Sequence, residues 1–136
     1  MPTEIEAANN SKTMLWTGRV MSAVVVLFLL ADSSMKLMRL APVLEAQAQL
    51  GYPDADDRLL GVIALVCALL YAFPRTAILG AILTTGLLGG AIASHLRIES
   101  PLFSHTLFGV YLGLLAWGGL FFQDQRLRAL IPWRRH

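Results

Sequence analysis

His95, Arg97, Ser104, His105 and Thr106 fall within one short stretch, SHLRIESPLFSHTLF, residues 94–108. An imidazole titrates near neutrality, so two of them suit proton transfer or hydrogen bonding to a carbonyl. The guanidinium and the two hydroxyls beside them suit the binding of a polar head group. A second polar set lies far upstream. Asp32 and Lys36 are four residues apart, the spacing that places two side chains on one helix face and lets them pair. Arg58 closes the acidic run DADDR. The residue types assign acid–base or hydrogen-bonding roles to Asp32, His95 and His105. They assign ligand-binding roles to Lys36, Arg58, Arg97, Ser104 and Thr106.

Other chemistries fit less well. The two histidines belong to different apolar segments with a proline turn between them. That is not a zinc-ligand spacing, and no cysteine or nearby acid joins them. Axial haem ligation would need the two rings to face each other across a porphyrin. No metal site is therefore assigned. Cys67 is the one cysteine. It reads as a small buried side chain, because dithiol chemistry needs an attacking and a resolving sulfur. No glycine-rich phosphate loop, nucleophile elbow or nucleotide fingerprint is present. The net charge of +2 is too small to suggest nucleic acid as a partner.

These residues must be positioned by apolar elements. Of 136 residues, 56% are hydrophobic and 15% charged. A soluble domain carries about 25% charged residues, so the composition points to a membrane protein. Four apolar segments stand out, Met14–Ala31, Leu59–Phe73, Thr76–Leu96 and Leu102–Phe122. About 20 apolar residues cross a bilayer as a helix. The third and fourth reach that length. The second draws a cap and a first turn from DADDR. The first must continue through DSSMKLMRL, which puts Asp32 and Lys36 on its last turns. No segment alternates with period two, and open sheets are excluded from lipid. The expected fold is all-α, an integral-membrane four-helix bundle. Pro74 and Arg75 make a tight turn between the second and third helices.

The longest connection contains APVLEAQAQLGYP. Pro42 suits a helix start and Gly51 a C-terminal cap. Val43, Leu44, Gln47 and Leu50 share a broad face, so a short amphipathic helix is expected there, lying over one mouth of the bundle. The polar start, residues 1–13, reads as a tail. Residues 14–123 form the transmembrane domain, and residues 124–136 form a basic tail. Lys12, Arg19, Arg75, Arg126, Arg128, Arg134 and Arg135 collect on one side. Lys36, Arg39, Arg58 and Arg97 collect on the other. That asymmetry places both termini in the cytoplasm. Helix direction then brings Asp32, Lys36, Arg58, His95, Arg97 and the 104–106 cluster to the non-cytoplasmic mouth. Gly86-x-x-x-Gly90 and Gly109-x-x-x-Gly113 have the spacing of close helix contact, within the chain or in a homodimer.

The runs WTGRVMSAVVVLFLLADSSMKL, QLGYP, GAILTTGLLGGAIASHLR and PLFSHTLFGVYLGLLAWGGLF together resemble the DoxX-like family of small four-helix membrane proteins. The likeness covers roughly Leu15 to Pro132, with AIASHLR and PLFSHTLF its most specific parts. It implies a multi-pass protein of the bacterial inner membrane. It also implies a loose redox association, since the family's namesake is a membrane subunit of a quinone-linked thiosulfate oxidoreductase. The family carries no shared catalytic motif onto these residues. The functional expectation is a pocket at the non-cytoplasmic mouth that binds a lipophilic small molecule, with quinone as the candidate cofactor. The alternatives are an enzyme that isomerises a lipophilic substrate or opens its epoxide by acid–base chemistry, and a non-catalytic subunit of a membrane complex.

Overall fold

The computed structural model describes residues 3–52 and 56–131, except the side chains of residues 7–9, 57 and 105. Part of the expected DADDR cap, and Trp133, Arg134 and Arg135 at the C-terminus, lie outside the described residues. Every regular element among the described residues is helical, with no strand. Helix α1 spans Glu4–Leu37, α2 Ala41–Gln49, α3 Asp56–Ala72, α4 Ala77–Arg97, α5 Phe108–Gln123 and α6 Gln125–Leu130. A π-helical turn, Leu102–Thr106, leads into α5.

The first helix starts ten residues before its apolar segment. Thr3 and Glu6 form a capping box, in which the Thr3 hydroxyl accepts from the Glu6 amide and the Glu6 carboxylate from the Thr3 amide. Two end amides are thereby satisfied, which lets the polar residues continue the helix. Its 34 residues reach about 51 Å at a 1.5 Å rise, well beyond a ~30 Å hydrocarbon layer. The expected tail is thus helical from Glu4 onward.

Helix α1 packs on α3 and α5, and α4 packs on the same two, so the four long helices form a ring. Among the described residues three units are long and apolar enough to cross a bilayer: α1, α4 and Leu102–Gln123. The apolar part of α3, Arg58–Ala72, is shorter. The core mixes small side chains with leucines and Tyr71. Ala64, Ala68, Ala81 and Ala116 are buried beside Val25, Leu29 and Cys67. Larger apolar groups point outward, including Leu27, Phe103 and Leu114. In water that arrangement would waste the hydrophobic effect. In lipid it is favourable, because helices gain by close packing rather than by hiding apolar surface.

Backbones approach closely where glycines allow it. A Cβ on Gly18 would meet the Gly119 carbonyl at 2.7 Å, at the α1–α5 crossing. One on Gly80 would meet the Tyr71 backbone at 2.3 Å, just after the α3–α4 turn. The glycines singled out by spacing behave unequally. A Cβ on Gly109 would press on Ile92 and on the Leu88 carbonyl, whereas one on Gly86 or Gly90 would meet nothing within 4 Å. The α4–α5 seam therefore uses Gly109 from the second pair and neither glycine of the first.

Candidate functional site

Three helix ends meet at one mouth, and each ends in the same way. Beyond α1, the Arg39 amide donates to the Lys36 carbonyl and the Leu40 amide to the Met35 carbonyl. Beyond α2, Gly51 donates to Ala48 and Tyr52 to Gln47. Beyond α4, Glu99 donates to Leu96 and Ser100 to His95. Each is a Schellman closure, with a left-handed residue just past the cap. Gly51 takes that conformation freely at φ 85°, whereas Arg39 and Glu99 hold it at φ 55° with side chains present.

These closures turn the chain back over the bundle and lay α2 across the mouth. Pro42 lies in its first turn, where the absent amide proton costs nothing. Its far end is tied to α4. The Arg97 guanidinium donates to the Leu50 carbonyl at the C-terminus of α2, where a cation suits the helix dipole. The Tyr52 hydroxyl donates to Ser94 Oγ at 2.7 Å, and the Ser94 hydroxyl donates in turn to the Gly90 carbonyl.

Beneath α2 lies a cavity of about 440 Å³. Its walls are mostly apolar, among them Leu29, Leu88, Ile92 and the Phe28–Phe108 ring pair at 5.0 Å. Four polar side chains interrupt them: Asp32, Lys36, Gln47 and His95. Lys36 Nζ donates to Asp32 Oδ2 at 2.7 Å, and both side chains are mostly shielded from solvent. His95 Nδ1 lies 3.1 Å from Ser100 Oγ, across the α4 closure. Gln47 is 7% exposed, and its amide oxygen meets no donor. A buried acceptor left in that state costs about 1–3 kcal/mol. A second cavity of about 290 Å³, between α2, α3 and α4, shares Lys36, Gln47, Leu50, Leu87 and Ala91 with the first. The Lys36–Gln47 wall therefore stands between two chambers.

Of the residues expected from sequence, Asp32, Lys36 and His95 line the larger cavity together. Arg97 is exposed and committed to the end of α2. Arg58 is exposed at the start of α3, outside that lining. Ser104 is exposed on the π turn, and Thr106 is buried, donating to the Ser100 carbonyl at 3.3 Å. The side chain of His105 lies outside the described residues. Among the described residues no three His, Cys, Asp or Glu side chains gather in a way that would hold a metal ion. Gln47 is the polar wall residue that the sequence reading places only on a helix face. Its signal was an amide among Val43, Leu44 and Leu50.

The opposite end of the bundle is organised differently. Gln123 Nε2 donates to Ser22 Oγ at 2.8 Å, Ser22 to the Tyr71 hydroxyl at 2.9 Å, and Tyr71 to the Ala116 carbonyl at 2.7 Å. Every hydroxyl in that chain has both a donor and an acceptor role filled, so it clamps α1, α3 and α5 together.

A family model described as the DoxX-like family matches residues 20–119. That range runs from α1 to the last turn of α5 and contains the whole lining of the cavity. No curated protein and no solved structure matches the chain.

Proposed function

The chain belongs to the DoxX-like family, and on that premise we propose that it is a four-span membrane protein whose cavity beneath α2 holds a lipophilic small molecule. In this reading α3 is the short span, and the bilayer thins or the flanking residues snorkel to meet it. The tail of the ligand lies against Leu29, Leu88 and the Phe28–Phe108 pair. Its head meets Asp32, Lys36, Gln47 and His95. The observation that carries the reading is the composition of that wall. A few polar groups converge in an apolar cavity, which is the usual form of a small-molecule site. Ionisable groups at membrane depth are costly and mark ligand or proton paths. The redox association of the family makes a quinone-type head the first ligand to try.

Filling the cavity tests this. Ala91 lines both chambers, so Ala91→Phe places a ring in the space a ligand would take. Native mass spectrometry of the detergent-solubilised protein would follow adducts of a decyl-quinone and of its reduced hydroquinone. The expected result is at least about a tenfold loss of affinity, equivalent to ~1.4 kcal/mol, with helicity unchanged. Near-native affinity in that variant overturns the assignment of the cavity.

A further inference from the structure

Resting on the reading that a lipophile occupies this cavity, we propose that its head carries a hydroxyl held between Lys36 and Gln47, so that the ligand is a neutral phenol, hydroquinone or alcohol. Each of these two wall groups has hydrogen-bonding capacity left over. The Lys36 ammonium has three donors and gives one to Asp32 at 2.7 Å, so donors remain for an acceptor. The Gln47 amide oxygen is shielded from water and has no donor. Both residues line both chambers. The terminal torsion of a glutamine is soft, so the amide can swing its oxygen toward the space that it lines.

A hydroxyl answers both needs with one group, accepting from Lys36 and donating to Gln47. A carbonyl or an ether accepts from Lys36 but leaves the Gln47 oxygen unmet. A carboxylate adds an anion beside Asp32 and likewise donates nothing. Charge points the same way. Asp32 already neutralises Lys36, and no other lysine, arginine, aspartate or glutamate lines the larger cavity among the described residues. A neutral head is therefore favoured over an anionic one. A site built to bond a hydroxyl discriminates strongly against analogues that lack it, because its own polar groups are then left unpaired.

The test compares matched pairs. The full chain in mild detergent is titrated with para-decylphenol, with dodecanol and with the methyl ether of each, and bound fractions are read by native mass spectrometry. The expected result is that at least one hydroxyl compound binds about tenfold or more tightly than its ether. In Gln47→Leu that ratio falls to about one, while the affinity for the ether is retained. A stronger preference for the phenol over its ether assigns an aromatic hydroxyl, and a stronger one for dodecanol an aliphatic hydroxyl. Equal binding of hydroxyl and ether in both pairs overturns the hydroxyl assignment but leaves the cavity reading in place. Laurate binding as tightly as dodecanol overturns the neutral head. Binding of none of these compounds overturns the cavity reading itself. The ratio in the unmodified protein decides the question even if a variant does not fold.

Discussion

At residue scale, Gln47 and the Asp32–Lys36 pair place opposite demands on the bundle. Gln47 carries an acceptor without a donor, so the ligand-free protein tolerates a cost there. Gln47→Leu removes the orphan and keeps a similar volume. The expected outcome is a ligand-free protein more stable by about 1 kcal/mol, seen as a higher thermal midpoint in detergent. A lower midpoint would mean that the amide has a structural partner. The ion pair behaves in the opposite sense. Lys36→Met leaves a shielded carboxylate alone, and Asp32→Asn leaves a shielded ammonium. Each single change should destabilise more than the pair is worth, because an unpartnered charge remains. The double variant should recover part of the loss, giving a coupling of about 1 kcal/mol in a double-mutant cycle. Strictly additive losses would show that the two side chains do not depend on each other.

At element scale the governing feature is the set of closures around α2. Gly51 sits at φ 85°, and a Cβ there would come within 2.8 Å of an Arg97 guanidinium nitrogen. Gly51→Ala should strain the turn and displace the cation that holds the end of α2. Hydrogen–deuterium exchange should then speed up in residues 41–50 while the core of α4 stays protected. Unchanged exchange in α2 would mean that Arg97 does not latch it. Glu99 is the converse case. It holds a left-handed conformation that costs a side-chain-bearing residue about 1–2 kcal/mol. Glycine gives back about 0.5–1 kcal/mol through its freer unfolded chain. Glu99→Gly should therefore stabilise by about 0.5–1 kcal/mol in a denaturation series. These closures also show which parts of the fold are legible in sequence. Pro42 and Gly51 bracket α2 because each residue type has a backbone requirement that composition reveals. The turns at Arg39 and Glu99 have no glycine and leave no such mark. The role of Arg97 depends on the end of α4 lying beside the end of α2, a tertiary fact that no local pattern carries. The helix before Met14 escapes notice because its residues are polar, while its capping box is a weak signal by itself. Asp32 and Lys36 are legible as a pair because their contact is local. Gln47 is legible on the face it shares with Val43, Leu44 and Leu50, but not as a wall residue, because the cavity it lines lies between helices that no local pattern brings together.

At the scale of the whole molecule, the bundle turns many large apolar residues outward, and its basic residues predict its orientation in the bilayer. The end near the chain termini carries Lys12, Arg19, Arg75, Arg126 and Arg128 among the described residues, and Arg19 lies over the Trp16 ring at 5.2 Å. Such a pair, an aromatic ring with a cation beside it, suits the headgroup level. The mouth under α2 carries Lys36, Arg39, Arg58 and Arg97. Lys36 is paired with the Asp32 carboxylate, which lowers the net positive charge on that side. Both termini should therefore face the cytoplasm, and the α2 mouth should face away from it. Thr3 and Ile98 are exposed at opposite ends of the bundle, which makes them suitable reporters. Thr3→Cys and Ile98→Cys, each in a Cys67→Ala background, would be treated in intact cells with a membrane-impermeant maleimide. The expected pattern is labelling at position 98 in intact cells and at position 3 only after lysis. Labelling of position 3 in intact cells, with position 98 protected until lysis, would invert the molecule. The cavity under α2 would then open toward the cytoplasm, and a lipophile entering it would have to come from the inner leaflet.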